Sequence, residues 1–275
     1  MPAAPEKILE LKSQAKLTRR KIVEIIYRAK SSHVGSALSA ADIITSLYFG
    51  GVMRVDPHHP KKEGRDKLVL SKGHAVSAVY ATLGFFGFFP IEKLEEYGRD
   101  GTKLASHVVL DVLPGLETSN GSGGHGLPLG AGMALAAKQK GEDSRIFVLS
   151  GDGEMEEGSV WEALLFAGHH QLSNLTLIID RNYLQDGMSG LRTNQILDID
   201  PLDEKLRAFR WEVESVNGHD FDELISALEN KSDKPRAIIA NTLKGKGVSF
   251  MENRGEWHGK CPDAEQYEVA IKELS

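Results

Sequence analysis

Two polar side chains thirty residues apart, Asp152 and Asn182, are the best placed for chemistry in this sequence. Each follows an apolar run: Ile146–Leu149 leads into Gly151-Asp152-Gly153, and Leu175–Ile179 leads into Asp180-Arg181-Asn182. With the helical stretch between them, the two runs read as one βαβ unit over Arg145–Gln185. Both residues then sit at the carboxyl ends of strands, where open parallel sheets bind ligands. One carboxylate and one amide form an incomplete oxygen donor set for a hard cation. Mg²⁺ suits it, because Mg²⁺ takes one or two protein side chains and completes its octahedron with phosphate oxygens and water. The glycines beside Asp152 let backbone approach a diphosphate, and the helix that follows would offer N–H groups to the same anion. Taken singly, a helix-capping aspartate and a turn asparagine are the plainer alternatives.

A second pattern, Gly121-x-Gly123-x-x-Gly126, matches the dinucleotide fingerprint literally. Its context fails. The fingerprint needs a strand feeding the tight turn, and Leu116-Glu117-Thr118-Ser119-Asn120 is mostly polar. Nicotinamide binding is therefore not expected.

Positioning Asp152 and Asn182 takes the rest of the chain. Ile8, Leu11, Ala15, Ile22 and Ile26 fall on one face of a helix over 5–30, with Lys12, Lys16, Arg19 and Arg20 as its solvated side. Ser39 three residues before Asp42 reads as an acidic capping box, opening a second helix that runs to about Gly50. Residues 53–65 read as a loop with His58 and His59 exposed. Residues 66–71 form a short apolar run before Lys72-Gly73-His74 and a helix of small residues. No clean period marks 98–124, and a helix over 127–138 follows. His169 and His170 read as structural residues at a helix end. Beyond Gln185 come a turn at Asp186-Gly187, a short helix near 203–209, a strand over 211–216, a helix over 221–229 and a strand over 237–242. An irregular glycine-rich stretch over 244–261 and a C-terminal helix close the chain. This alternation predicts an α/β fold, a mostly parallel sheet with helices on both faces. No linker divides residues 1–275, which read as one domain.

Composition narrows the classes. At 41% apolar and 26% charged the chain is ordinary for a globular protein. A net charge of -6 argues against nucleic acid, so an anionic substrate must be held by a local cluster. The lone Cys261 makes no internal disulfide, and MPAAPEK has no apolar leader, which together predict a cytoplasmic protein. The uncharged run Ala75–Ile91 contains Gly84, Gly87 and Pro90 and reads as a buried helix with its exit turn, not as a membrane span.

Gly151-Asp152-Gly153 with an asparagine thirty residues on resembles the thiamine-diphosphate signature, and the flanking text resembles transketolase. Ser32-His33-x-Gly35, Leu70-Ser71-x-Gly73-His74, Ser106-His107 and Glu117-x-Ser119-x-Gly121-Ser122-x-Gly124-His125-Gly126 fall in family order. So do Gly151-Asp152-Gly153-Glu154-x-x-Glu157-Gly158-x-x-Trp161-Glu162-Ala163, Lys244-Gly245-Lys246-Gly247 and Trp257-His258-Gly259.

The resemblance implies a thiamine-diphosphate-binding fold in which Asp152, Asn182 and the backbone carbonyl of Leu184 ligate Mg²⁺. It places Ser36, His74, Gly121, Gly123, Gly151, Gly153, Glu154, Asn182, Lys244 and His258 at the cofactor. The implied catalytic set is His33, His74, His107 and His258, with His33 and His107 facing the reacting groups of the sugar. Opening a ketose beside its carbonyl requires a hydroxyl proton to leave, which suits an imidazole titrating near neutrality. Glu157 and Glu162 match acidic residues near the contact between active sites. Asn120 and Gly123 stand where the family usually has threonine and leucine, and Arg181 replaces the first of two asparagines.

Single-chain transketolases carry two further domains, so the implied function is the N-terminal subunit of a split transketolase. It would move a two-carbon ketol unit from a ketose phosphate to an aldose phosphate. Activity would require a separate pyrimidine-domain subunit, in an α2β2 heterotetramer. The α subunit of a 2-oxo acid dehydrogenase and a non-catalytic cofactor-binding chain are the alternatives.

Overall fold

The computed structural model describes residues 4–185 and 191–275. The turn expected at Asp186-Gly187 lies outside the described residues. Strands β1 (Lys67–Leu70), β2 (Ile146–Gly151), β3 (Leu175–Arg181), β4 (Glu212–Asn217) and β5 (Arg236–Asn241) form a sheet in the order β1-β2-β3-β5-β4. Every neighbouring pair is parallel. Their carboxyl ends therefore share one edge, and the loops after β1, β2, β3 and β5 converge there.

The near-continuous apolar text of β2 and β3 follows from burial on both faces. Phe147, Leu149, Ile178 and Ile238 point into a core shared with α1 (Pro5–Ala29), α2 (Val34–Tyr48), α3 (Val76–Phe86) and α8 (Phe221–Glu229). Alternate residues Val148, Leu177, Ile179 and Ile239 point into a second core with α4 (Gly126–Lys140) and α5 (Gly158–His169). Each such side chain contributes about 1.5–3 kcal/mol on burial. The short α6 (Thr193–Ile196) and α7 (Leu202–Ala208) link β3 to β4, and α9 (Ala264–Glu273) packs on α1.

Two local expectations are corrected. The second helix begins at Val34, not at Ser39; His33 caps it in a left-handed conformation, φ 72°. Ser39 is inside the helix, and its hydroxyl donates to Asp180 Oδ2 at 2.6 Å. Arg19 is also not a solvated residue. Its guanidinium grips Asp42 at 2.9 and 2.6 Å, both side chains being buried, and so fastens α1 to α2. Periodicity missed this because Arg19 lies beside the apolar stripe, where a long stem packs as well as an aliphatic chain. Between Asp152 and the helix that follows, which starts at Gly158, lies one 3-10 turn (Gly153–Glu156). The uncharged run from Ala75 is α3, ended by Gly87 at φ 97°. Among the described residues no helix is long and apolar enough to cross a membrane.

Candidate active site

A cavity of about 180 Å³ opens at the carboxyl edge of the sheet, lined by Ser36, His74, Gly121, Gly123, Gly151, Asp152, Gly153, Glu154, Asn182, Leu184 and His258. Five loops build it. After β1, Ser71-Lys72-Gly73 turns so tightly that a side chain at Gly73 would strike the Asn120 carbonyl at 2.5 Å. That contact brings the loop carrying Gly121 and Gly123 against His74. Asn120 anchors this loop, donating from Nδ2 to the Leu70 carbonyl at 3.2 Å and to Thr118 Oγ1 at 2.7 Å. The departure from threonine thus serves the fold. No strand precedes Gly121, so the nicotinamide pattern lacks its structural basis.

After β2, Asp152 is buried and accepts from the Gly153 N–H at 3.0 Å, the Tyr183 N–H at 2.7 Å and Thr193 Oγ1 at 3.2 Å. Burial raises its carboxyl above the usual range, and the negative charge of Asp180 adds to that. A buried carboxylate so poorly compensated by its own protein fits a cation. A side chain at Gly151 would meet no atom within 4 Å, the open space a diphosphate cradle needs. Glu154 serves as a brace. One oxygen accepts from Ser71 Oγ and the Gly124 N–H at 2.8 Å, the other from Ser150 Oγ at 2.9 Å. Glu157 reaches the cavity, whereas Glu162 is exposed on α5.

After β3, Asn182 Oδ1 accepts the Leu184 N–H at 3.1 Å, and the Leu184 carbonyl accepts Lys244 Nζ at 2.6 Å. Lys244 comes from the loop after β5 and is fully buried; its ammonium also donates to His258 Nδ1 at 3.0 Å. That bond leaves the proton of neutral His258 on Nε2. His33 lies at the centre of the histidines, its ring centroid 5.2 Å from His74, 5.6 Å from His107 and 5.3 Å from His258. Every residue singled out in the sequence for the cofactor or the sugar is thus brought to one edge of the sheet. His33 and His107 stand beside the cavity, and Lys244 lies behind it.

The expectation of imidazoles titrating near neutrality is not met by two of them. Burial, with His107 and Lys244 adding positive charge, pulls His33 down to about 4. Burial and Lys72 hold His74 well below its ordinary value. Unfolded, His33 binds its proton near 6.5; folded, only near 4. Between these values the unfolded state holds more protons, so stability is intact above pH 6.5 and declines as pH falls towards 4. Urea midpoints should decline across that window, and decline less in His33→Gln. Parallel profiles for the two proteins would refute this reading.

The sequence missed a buried ion pair beneath the cavity. Lys72 Nζ bonds Asp180 Oδ2, both side chains being almost wholly inaccessible at 2% and 0%. Ser39 and Thr242 donate to the same carboxylate. The available signal was a charge ending the apolar text Leu175–Ile179. Gln185 was also missed; it lines the cavity and donates to Glu156 at 3.0 Å.

A larger cavity of about 1170 Å³ lies between residues 56–65 and 110–117. Its ionisable side chains mostly pair with each other, Arg65 with Glu117, Lys61 with Asp111 and His59 with Asp56, and it shares no lining residue with the cavity at the sheet edge.

The family model described as transketolase, thiamine diphosphate binding domain, matches residues 11–274. The chain is 42% identical over 268 residues to one of the named subunits of the apulose-4-phosphate transketolase of Phocaeicola vulgatus, covering 96% of this chain and 94% of that one. It is 40% identical over 273 residues to a 6-deoxy-6-sulfo-D-fructose transketolase subunit of Clostridium sp., with 98% of each chain covered. Human transketolase is 35% identical over 270 residues, which are 98% of this chain but only 42% of that one. Among solved structures, Campylobacter jejuni transketolase superposes with a TM-score of 0.88 at 31% identity, over 97% of this chain and 43% of that one.

Proposed function

We propose a function from one premise: this chain belongs to the transketolase family, matching its thiamine diphosphate binding domain. It is one subunit of a multi-subunit transferase, and residues 1–275 act as a single cofactor-binding domain. It binds thiamine diphosphate and Mg²⁺ and moves a two-carbon ketol unit from a ketose phosphate to an aldose phosphate. The partner is a separate pyrimidine-domain subunit, in an α2β2 assembly and a cytoplasmic setting consistent with a single cysteine. The observation that carries the reading is the convergence of Asp152, Asn182, Leu184 and His258 on one cavity at the sheet edge. The high coverage of two relatives named as transketolase subunits supports a divided enzyme. The matching family model and these relatives are transketolases, which favours that reading over the 2-oxo acid dehydrogenase alternative.

Asp152, Asn182 and the Leu184 carbonyl would hold the cation, and the backbone at Gly151 and Gly153 would face the diphosphate. Thiamine diphosphate, when bound, supplies the nucleophilic carbon that opens the bond beside the ketose carbonyl. His33 and His74 remain neutral at physiological pH and are able to accept a hydroxyl proton. Burial depresses them most; a bound diphosphate would oppose the positive charges that add to it and so raise their affinity for that proton. Lys244 orients His258, keeping the Nε2 proton available for a sugar oxygen.

Mixing this chain with its partner should produce ketol transfer from a ketose phosphate that neither chain performs alone. Turnover by this chain alone, at a rate near that of the mixture, would refute the split reading. Tight cofactor binding by the mixture with no turnover of ketose would favour the non-catalytic alternative.

A further inference from the structure

We propose that Tyr183 is a positioning residue of the cation site. Its ring, held by Arg181 and Asn241, keeps its own backbone left-handed and thereby fixes Asn182 and Leu184 for a divalent cation. The inference rests on the Mg²⁺ reading above.

Tyr183 lies between the two candidate ligands of the β3 loop and has φ 63°. For an L-residue that conformation is sterically disfavoured. It persists where the surroundings over-determine it. Here the backbone N–H donates to Asp152 Oδ2 at 2.7 Å and the carbonyl accepts the Thr193 N–H at 3.0 Å. The phenol donates to Asn241 Oδ1 at 2.9 Å, and the Arg181 guanidinium lies 4.9 Å from the ring centre.

The anchors are themselves fixed. Asn241 donates to Ser215 Oγ at 3.0 Å and to the Val216 carbonyl at 3.2 Å, so the phenol is tied to two strands. Arg181 Nη2 donates to both oxygens of Asp200, at 2.5 and 2.7 Å. Arg181 departs from the asparagine usual in the family, and its guanidinium roofs the Tyr183 ring.

The product is an Asx turn, Asn182 Oδ1 on the Leu184 N–H, with Leu184 brought to the cavity wall. A chain continuing the extended course of β3 would not close that turn. Glycine would take the same φ without steric cost but would add backbone freedom that tyrosine, gripped at both ends, denies.

The test is Mn²⁺ binding to the full chain in saturating thiamine diphosphate, followed by electron paramagnetic resonance with Mn²⁺ standing in for Mg²⁺. Tyr183→Ala should weaken Mn²⁺ about tenfold, equivalent to roughly 1.4 kcal/mol. Tyr183→Gly should bind Mn²⁺ more tightly than Tyr183→Ala, because it regains the left-handed conformation. A packing role predicts the opposite order, since glycine removes more of the side chain. Tyr183→Phe, which keeps the ring and loses the phenol's bond, and Arg181→Gln, which loses the guanidinium over it, should each weaken binding by about two- to fivefold, the scale of one lost hydrogen bond or cation–π contact. They also serve if the alanine variant does not fold. Parent-like affinity in both of these mild variants, or glycine no better than alanine, overturns the proposal. Absence of Mn²⁺ binding by the parent chain overturns the Mg²⁺ reading itself, and the proposal with it.

Discussion

Asp152→Ala is expected to reduce ketol transfer in the reconstituted enzyme by about 10³-fold or more, because a metal-held charge is worth several kcal/mol. The carboxylate is buried in a setting that its own protein compensates poorly, beside a second negative charge at Asp180. On the proposed reading a divalent cation would remove that penalty, and without the carboxylate it would lose the one charged ligand this chain offers. Alanine also leaves the Tyr183 N–H without its acceptor, so the loop bearing Asn182 loosens as well. The loss should appear as a failure to retain cofactor at micromolar thiamine diphosphate. Thermal unfolding should shift by no more than about 4 °C, since the site lies outside both hydrophobic cores. A variant with a tenth or more of parental activity would show that Asp152 does not hold the metal.

Asp180→Ala should be the most destabilising single change beneath the site. It strands the Lys72 ammonium in a place where 2% of the side chain is accessible. Breaking one partner of a buried pair costs about 3–5 kcal/mol. At this chain length that corresponds to a fall of roughly 5–9 °C in the unfolding temperature. Burial by itself opposes the Asp180 charge, yet the Lys72 ammonium and the hydroxyls of Ser39 and Thr242 hold the carboxyl below its usual range. The double variant Lys72→Met/Asp180→Leu removes both charges and should recover at least half of the lost stability, because apolar residues of similar volume often replace such pairs without loss. A fall of less than about 2 °C in Asp180→Ala would mean that Lys72 finds water or another partner, and that the pair does not organise the cavity floor.

The two substitutions separate what reading the chain achieves from what folding adds. Asp152 and Asn182 were legible because each ends an apolar run, and a parallel sheet puts strand ends where ligands bind. The helix Phe221–Glu229 was legible to the residue because Asp220 caps it with its side chain on the Asp222 and Glu223 N–H groups. Lys72–Asp180 was not legible. The two residues are 108 positions apart, and only the pairing of β1, β2 and β3 aligns their strand ends. Arg19–Asp42 failed for a related reason: a charge beside an apolar stripe looks solvated until another helix covers it.

The amino-acid order alone determined the alternation of strands and helices, the loops that hold Asp152, Asn182 and the four histidines, and the family resemblance they carry. Those features are local, set by side-chain period and by the turn chemistry of neighbouring residues. Tertiary structure decided the rest: which charges are buried together, the depressed proton affinity of His33 and His74, and the left-handed step at Tyr183. Each of these depends on groups distant in sequence sharing a low-dielectric interior, where desolvation and a few anchoring bonds outweigh local preference.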